Sequence, residues 1–170
     1  KVFPKKAGDT AMGPIPAGIF GSREGTPEGI NPVTHLNVDG KPVRRPIDEA
    51  KARLAELQAG RARVVAAYEQ ALGGKDWLRL PRAGADEVVD WFVYVVRLDP
   101  QIDRDRVIGL LAERGVPARP YFSPLHLQPF YRELFDYKPG DFPVTERVAA
   151  STLALPFSSR LGDDEVRYVA

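Results

Sequence analysis

The densest run of chemically capable residues in this chain is Arg119-Pro120-Tyr121-Phe122-Ser123-Pro124-Leu125-His126. Two prolines fix the backbone on either side of an aromatic pair, and a histidine follows at once. A rigid, irregular segment that presents Tyr121, Phe122 and His126 suits the binding of a small polar ligand. The competing reading is that the aromatics belong to the core and His126 is a surface or capping residue. Residue types alone favour that second reading. No carboxylate stands at a motif-like spacing from His126, so spacing supports no catalytic dyad. A second segment, Gly140-Asp141-Phe142-Pro143-Val144-Thr145-Glu146, reads first as a turn and a helix start, with Pro143 and Glu146 suited to a first helical turn. Ser158-Ser159-Arg160 offers either an anion contact or an ordinary loop. No glycine-rich phosphate loop follows a strand.

These segments need elements to hold them. The chain changes character near residue 47. Residues 1–46 hold seven prolines and seven glycines and no helical or alternating period, which predicts turns and extended pieces without regular structure over 7–46. Leu54, Leu57, Val64, Val65, Tyr68 and Leu72 then recur at helical spacing until Gly73-Gly74. This predicts one long helix over about 48–72, capped by Asp48. Gly60 inside it costs about 1 kcal/mol relative to alanine. After a short turn, residues 91–98 (WFVYVVRL) read as a buried strand. Asp103 caps a helix that Gly115 ends in a left-handed position. Residues 116–122 read as a strand on the sheet edge, because Pro117 and Pro120 interrupt it. A short aromatic helix over 127–135, a helix from Thr145 to about Ser151, a strand over 153–155 and a final helix capped by Gly162-Asp163-Asp164 complete the order. The three strands are expected in one sheet, covered by the helices near 48–72 and 104–114. The fold class is α/β, a two-layer sandwich.

Composition narrows the function. The 24 basic and 23 acidic residues give a net charge of +1, so charge provides no argument for nucleic acid or an anionic membrane. The chain has no cysteine and two histidines, His35 and His126. That excludes disulfides and thiolate metal sites and argues against a histidine-rich one. No apolar run approaches the roughly 20 residues that span a bilayer. The start, Lys1-Val2-Phe3-Pro4, shows no signal-peptide core. The expectation is a cytoplasmic protein, and a chain that begins mid-protein.

The pieces taken in order resemble a family. Arg104-Asp105-Arg106 opens a helix ending Glu113-Arg114-Gly115-Val116. Arg119 to His126 follows, with Leu127-Gln128-Pro129-Phe130-Tyr131 directly after. Then come Gly140 to Arg147, Leu153-Ala154-Leu155-Pro156-Phe157 and Asp164-Glu165-Val166. This succession is similar to the C-terminal small domain of the DegT/DnrJ/EryC1/StrS aminotransferases. Arg53-Leu54-Ala55-Glu56-Leu57 and Ala66-Ala67-Tyr68 resemble the long helix that joins the large and small domains there.

The resemblance implies a fold-type-I enzyme, usually a homodimer, that uses pyridoxal 5'-phosphate. Such an enzyme moves an amino group, commonly from glutamate, to a keto group on a nucleotide-linked or antibiotic sugar. It implies that residues 47–170 are the small domain with its connecting helix, and that residues 1–46 are a Pro/Gly-rich remnant of the large domain. Phe3-Pro4-Lys5-Lys6 resembles the setting of the Schiff-base lysine, which makes Lys6 the catalytic candidate. Pro124-Leu125-His126 matches a stretch that lies at the active-site entrance, so Tyr121, Phe122 and His126 are the substrate-binding candidates, with His126 facing the sugar-binding mouth. Some relatives have His-Tyr where this chain has Tyr121-Phe122. No metal or nucleic acid is implied. Two alternatives stay open: a sugar dehydratase of the same family, and a non-catalytic α/β ligand-binding module.

Overall fold

The computed structural model describes residues 33–170. The chain divides into two compact units, Lys1–Leu57 and Gln58–Ala170.

In the first unit, β1 (His35–Val38) and β2 (Lys41–Arg44) form an antiparallel hairpin, with Val38 opposite Lys41. Asp39 and Gly40 make the turn at φ +50° and +77°. Two successive positive-φ residues match the right-handed strand twist, and Asp-Gly is a favoured pair for this turn. The expectation of no regular structure over 7–46 therefore fails at these residues. Overall proline and glycine content masked a local two-residue hairpin signal. Helix α1 (Ile47–Leu72) begins next. Asp48 lies inside its first turn rather than at the cap, where its charge and that of Glu49 favour the positive end of the helix dipole.

The second unit is built on a four-stranded antiparallel sheet of order β3-β4-β6-β5. Its strands are β3 (Leu78–Arg79), β4 (Tyr94–Leu98), β5 (Arg119–Pro120) and β6 (Thr152–Leu155). Each of the three expected strand segments contributes to this sheet, but only Tyr94–Leu98 of 91–98 and Arg119–Pro120 of 116–122 form strand; β5 lies on the edge, and the prolines keep it short. Leu78–Arg79 is an additional strand, too short for any alternation to reveal it. Tyr94, Val96 and Leu98 point to one face, Val95 and Arg97 to the other. The first face meets Val64, Val65, Tyr68 and Leu72 of α1, with Leu153, Leu155 and Val166 completing the core.

Helix α2 (Arg104–Glu113) adds Val107, Ile108 and Leu111 to the rim of that core. The Asp103 carboxylate caps it by accepting from the Arg106 N–H at 3.0 Å. Gly115, at φ +74°, ends it. The Gly115 N–H donates to Ala112 and the Val116 N–H to Leu111, the paired bonds that a left-handed residue after a helix makes possible. A 3-10 turn (Leu125–Leu127) and α3 (Pro129–Phe135) follow β5. Helix α4 (Pro143–Ser151) runs straight into β6, and α5 (Asp163–Val169) closes the fold. Pro143 opens α4 two residues earlier than the expected start at Thr145. Arg63 ties α1 to the start of α5 through the Leu161 carbonyl at 2.6 Å and the Asp163 carboxylate.

The core is dry. Tyr68 and Tyr94 stack with centroids 4.8 Å apart, both fully buried. Burial pushes the Tyr68 hydroxyl up to about 12, while it donates to the Pro156 carbonyl at 2.8 Å. Among the described residues no helix is long and apolar enough to cross a membrane.

Candidate functional site

The segment after β5 is held from below and presented outward. Thr152, the first residue of β6, donates its hydroxyl to the Tyr121 carbonyl at 2.5 Å. Arg104 fastens the neighbouring elements: its Nη1 donates to the carbonyls of Ala149 (3.0 Å) and Thr152 (3.2 Å). The start of α2 is thereby fixed to the α4–β6 junction. The Tyr121–Phe122 peptide is cis. The two rings stack at 4.0 Å, and Phe122 is 68% exposed. Two open hollows flank this segment. One, of about 380 Å³, runs between Phe122, Leu125, Val144 and Val148. The other, of about 220 Å³, lies between Arg104, Phe122, Leu127 and Glu146.

His126 behaves differently from Tyr121 and Phe122. Its ring is 7% exposed, turned inward rather than toward an opening. Its Nε2 sits 2.9 Å from Glu146 Oε1. The ring lies 4.7 Å from Phe142 and edge-on to Tyr137. Glu146 also accepts the Gly140 N–H at 2.8 Å and the Phe142 N–H at 3.4 Å. The bond to His126 first, then that from Gly140, holds the Glu146 carboxyl below its ordinary value, against a smaller opposing effect of desolvation. The turn and helix start expected at 140–146 form as read: Gly140 adopts φ +99° and the Asp141 carboxylate accepts the Lys138 N–H at 2.8 Å. The sequence reading treated these two segments separately. The structure joins them through a buried histidine and a carboxylate twenty residues away. The one signal in the sequence was an acid in the first turn of α4, which fits a helix dipole equally well. Ser158-Ser159-Arg160 forms an ordinary loop turn, with Leu161 N–H donating to Ser158.

The chemistry on offer is recognition rather than proton transfer. Glu146 is committed to His126 and to two backbone N–H groups. The flanking hollows present aromatic and aliphatic surface, and no lysine lines either of them. Lys6 lies outside the described residues. These two hollows therefore do not by themselves form a seat for pyridoxal phosphate, and no step through that group follows from them. They also contain no group of His, Asp or Glu side chains able to hold a metal ion.

Comparison with known proteins gives this fold a family. Residues 51–170 match the DegT/DnrJ/EryC1/StrS aminotransferase family, and the chain belongs to that family. The spore coat polysaccharide biosynthesis protein SpsC of Bacillus subtilis (strain 168) is 30% identical over 118 residues, 67% of this chain and 30% of that protein. The crystal structure of the aminotransferase TlmJ from Streptoalloteichus hindustanus superposes with a TM-score of 0.61 at 32% identity, over 72% of this chain and 32% of that one. DesI, crystallised in the presence of its TDP-sugar product, gives a TM-score of 0.60 at 28% identity, over 71% of this chain and 31% of its own. The chain spans about a third of the length of each of these relatives.

Proposed function

We propose that this chain is the C-terminal part of a pyridoxal-phosphate-dependent sugar aminotransferase, a cytoplasmic homodimer when whole. The enzyme moves an amino group from glutamate to a keto group on a nucleotide-linked or related sugar. On this reading residues 47–170 are the small domain with its connecting helix, and residues 1–46 derive from the large domain, with Lys6 as the Schiff-base lysine. Family membership supports the reaction class, and a relative with a TDP-sugar product supports the substrate class. The cofactor is held by parts of the enzyme other than the described residues.

One observation carries the site. Phe122 stays 68% exposed although it stacks on Tyr121, and the backbone beneath the pair is pinned by Thr152. An exposed, pre-ordered aromatic face binds the apolar side of a sugar ring at little entropic cost. Tyr121 and Phe122 contact the sugar directly. His126, through Glu146, fixes the turn that carries Pro124 and Leu125. The test is Phe122→Ala in the intact enzyme. A sugar contact predicts KM for the sugar nucleotide raised about tenfold, with the glutamate half-reaction unchanged. Unchanged constants in both half-reactions would remove Phe122 from the site.

A further inference from the structure

The segment from Tyr121 to His126 is held at two points, and both lead to the junction of α4 and β6. At one point the Thr152 hydroxyl donates to the Tyr121 carbonyl at 2.5 Å. At the other, Glu146 of α4 lies 2.9 Å from His126 Nε2. Helix α4 ends at Ser151 and β6 begins at Thr152, with no residue between them. The aromatic pair is thus held no more firmly than that junction.

Arg104 fastens the junction. The last carbonyls of a helix have no amide of their own helix to bond. The Thr152 N–H takes that of Val148. Arg104 Nη1, from the start of α2, takes that of Ala149 at 3.0 Å and reaches the Thr152 carbonyl at 3.2 Å. A cation there also meets the negative end of the helix dipole. The Arg104 side chain is 14% exposed, and its Nε donates to the Asp105 carboxylate at 2.6 Å. A planar guanidinium held on two sides keeps one direction, which a flexible ammonium does not.

The alternative is that Arg104 supports the fold as a whole. The core argues against it, because Tyr68, Tyr94, Leu153 and Val166 pack together without Arg104. Phe122 is in the opposite situation. It is 68% exposed, so few neighbours set the direction of its ring, and backbone anchors must do so. Arg104 also lines the hollow beside Phe122, together with Glu146. One guanidinium thus serves both supports of the pair.

We propose that Arg104 is a positioning residue: by capping α4 and holding Thr152 it sets the orientation in which Tyr121 and Phe122 meet the sugar. The sugar rests on the proposed function; the coupling of Arg104 to the aromatic pair rests on the hydrogen bonds alone. The test has two arms. In the first, para-fluorophenylalanine replaces Phe122 of the 170-residue chain and, separately, Phe157, which packs against the core. Fluorine NMR then reads each ring. Arg104→Gln and Thr152→Val should each shift or broaden the resonance at 122 and leave that at 157 in place. Thr152→Ser, which keeps the hydroxyl, should give the wild-type resonance. Arg104→Gln combined with Thr152→Val should match Arg104→Gln alone, as expected of two residues in one chain of bonds. Circular dichroism checks folding. If Arg104→Gln does not fold, Arg104→Lys, which keeps the charge and loses the fork, takes its place and should show the same change in smaller degree. In the second arm, Arg104→Gln in the intact enzyme should raise KM for the sugar nucleotide about threefold to tenfold, with kcat and the glutamate half-reaction unchanged. An unmoved resonance at 122, or an equal change at 157, overturns the positioning role. A moved resonance with an unchanged sugar KM overturns its bearing on the substrate. An intact enzyme that transfers no amino group would lose the proposed function, and the fluorine arm would still decide the coupling.

Discussion

At the residue scale the decisive pair is His126 and Glu146. Because the folded carboxyl titrates below its ordinary value, it adds stability that is present above the ordinary carboxylate range, near pH 4.3, and lost as pH falls through the lowered folded value. Glu146→Gln keeps an acceptor for the Gly140 N–H and loses the charge. The variant should unfold at lower urea than the wild type at pH 7, and the difference should shrink steadily below about pH 4. A difference that is the same at pH 7 and pH 3 would show that the charge is not what Glu146 contributes. Little of this pair was legible in the sequence. A histidine and an acid twenty residues apart have no shared period, and only the path through α3 brings them within 2.9 Å. Tyr121 and Phe122 were legible as an aromatic pair between two prolines, but the expected strand over 116–122 included them, whereas β5 ends at Pro120.

At the element scale the sequence was far more informative. Periodic apolar residues marked α1, β4 and α2, and the stop signals at Gly73-Gly74 and Gly115 fall where the helices end. What escaped were elements whose signal is local rather than periodic. Strand β3 has two residues, and the 35–44 hairpin is announced by Asp39-Gly40 alone. Gly60 shows the opposite case, a residue that looked like a defect and has a reason. It lies mid-helix, where alanine would gain about 1 kcal/mol from propensity. A Cβ there, however, would stand 2.6 Å from the Ser159 carbonyl oxygen and 2.9 Å from its Cβ. The clash is with backbone and cannot be relieved by a rotamer, so the loop over 158–160 must move. Overpacking of this kind costs about 1–3 kcal/mol, which exceeds the propensity gain. Gly60→Ala should therefore lower stability by about 1 kcal/mol in urea unfolding. A variant more stable than wild type would mean that propensity wins and the loop yields freely.

At the scale of the whole molecule, the question is what a chain about a third the length of its relatives does alone. Its core is complete: Tyr68, Tyr94, Leu153 and Val166 are each at most 1% exposed. The second unit therefore has what a stable fold needs. Its surface is another matter. Phe122, Leu125, Phe130, Leu134 and Phe135 are all more than half exposed. Isolated apolar residues on a surface are ordinary, but five large ones within fourteen positions form a patch of the kind that marks an interaction site. Transamination, by contrast, needs cofactor ring, phosphate and lysine in fixed relation, and no lysine lines the hollows beside Tyr121 and Phe122. We expect the purified 170-residue chain to fold, to give a cooperative urea transition, and to transfer no amino group from glutamate to a keto-sugar nucleotide. Added pyridoxal phosphate should leave the visible spectrum of the chain unchanged apart from that of the free cofactor. An aldimine band that survives dialysis and disappears in Lys6→Ala would overturn this expectation, and it would place a working lysine within the chain.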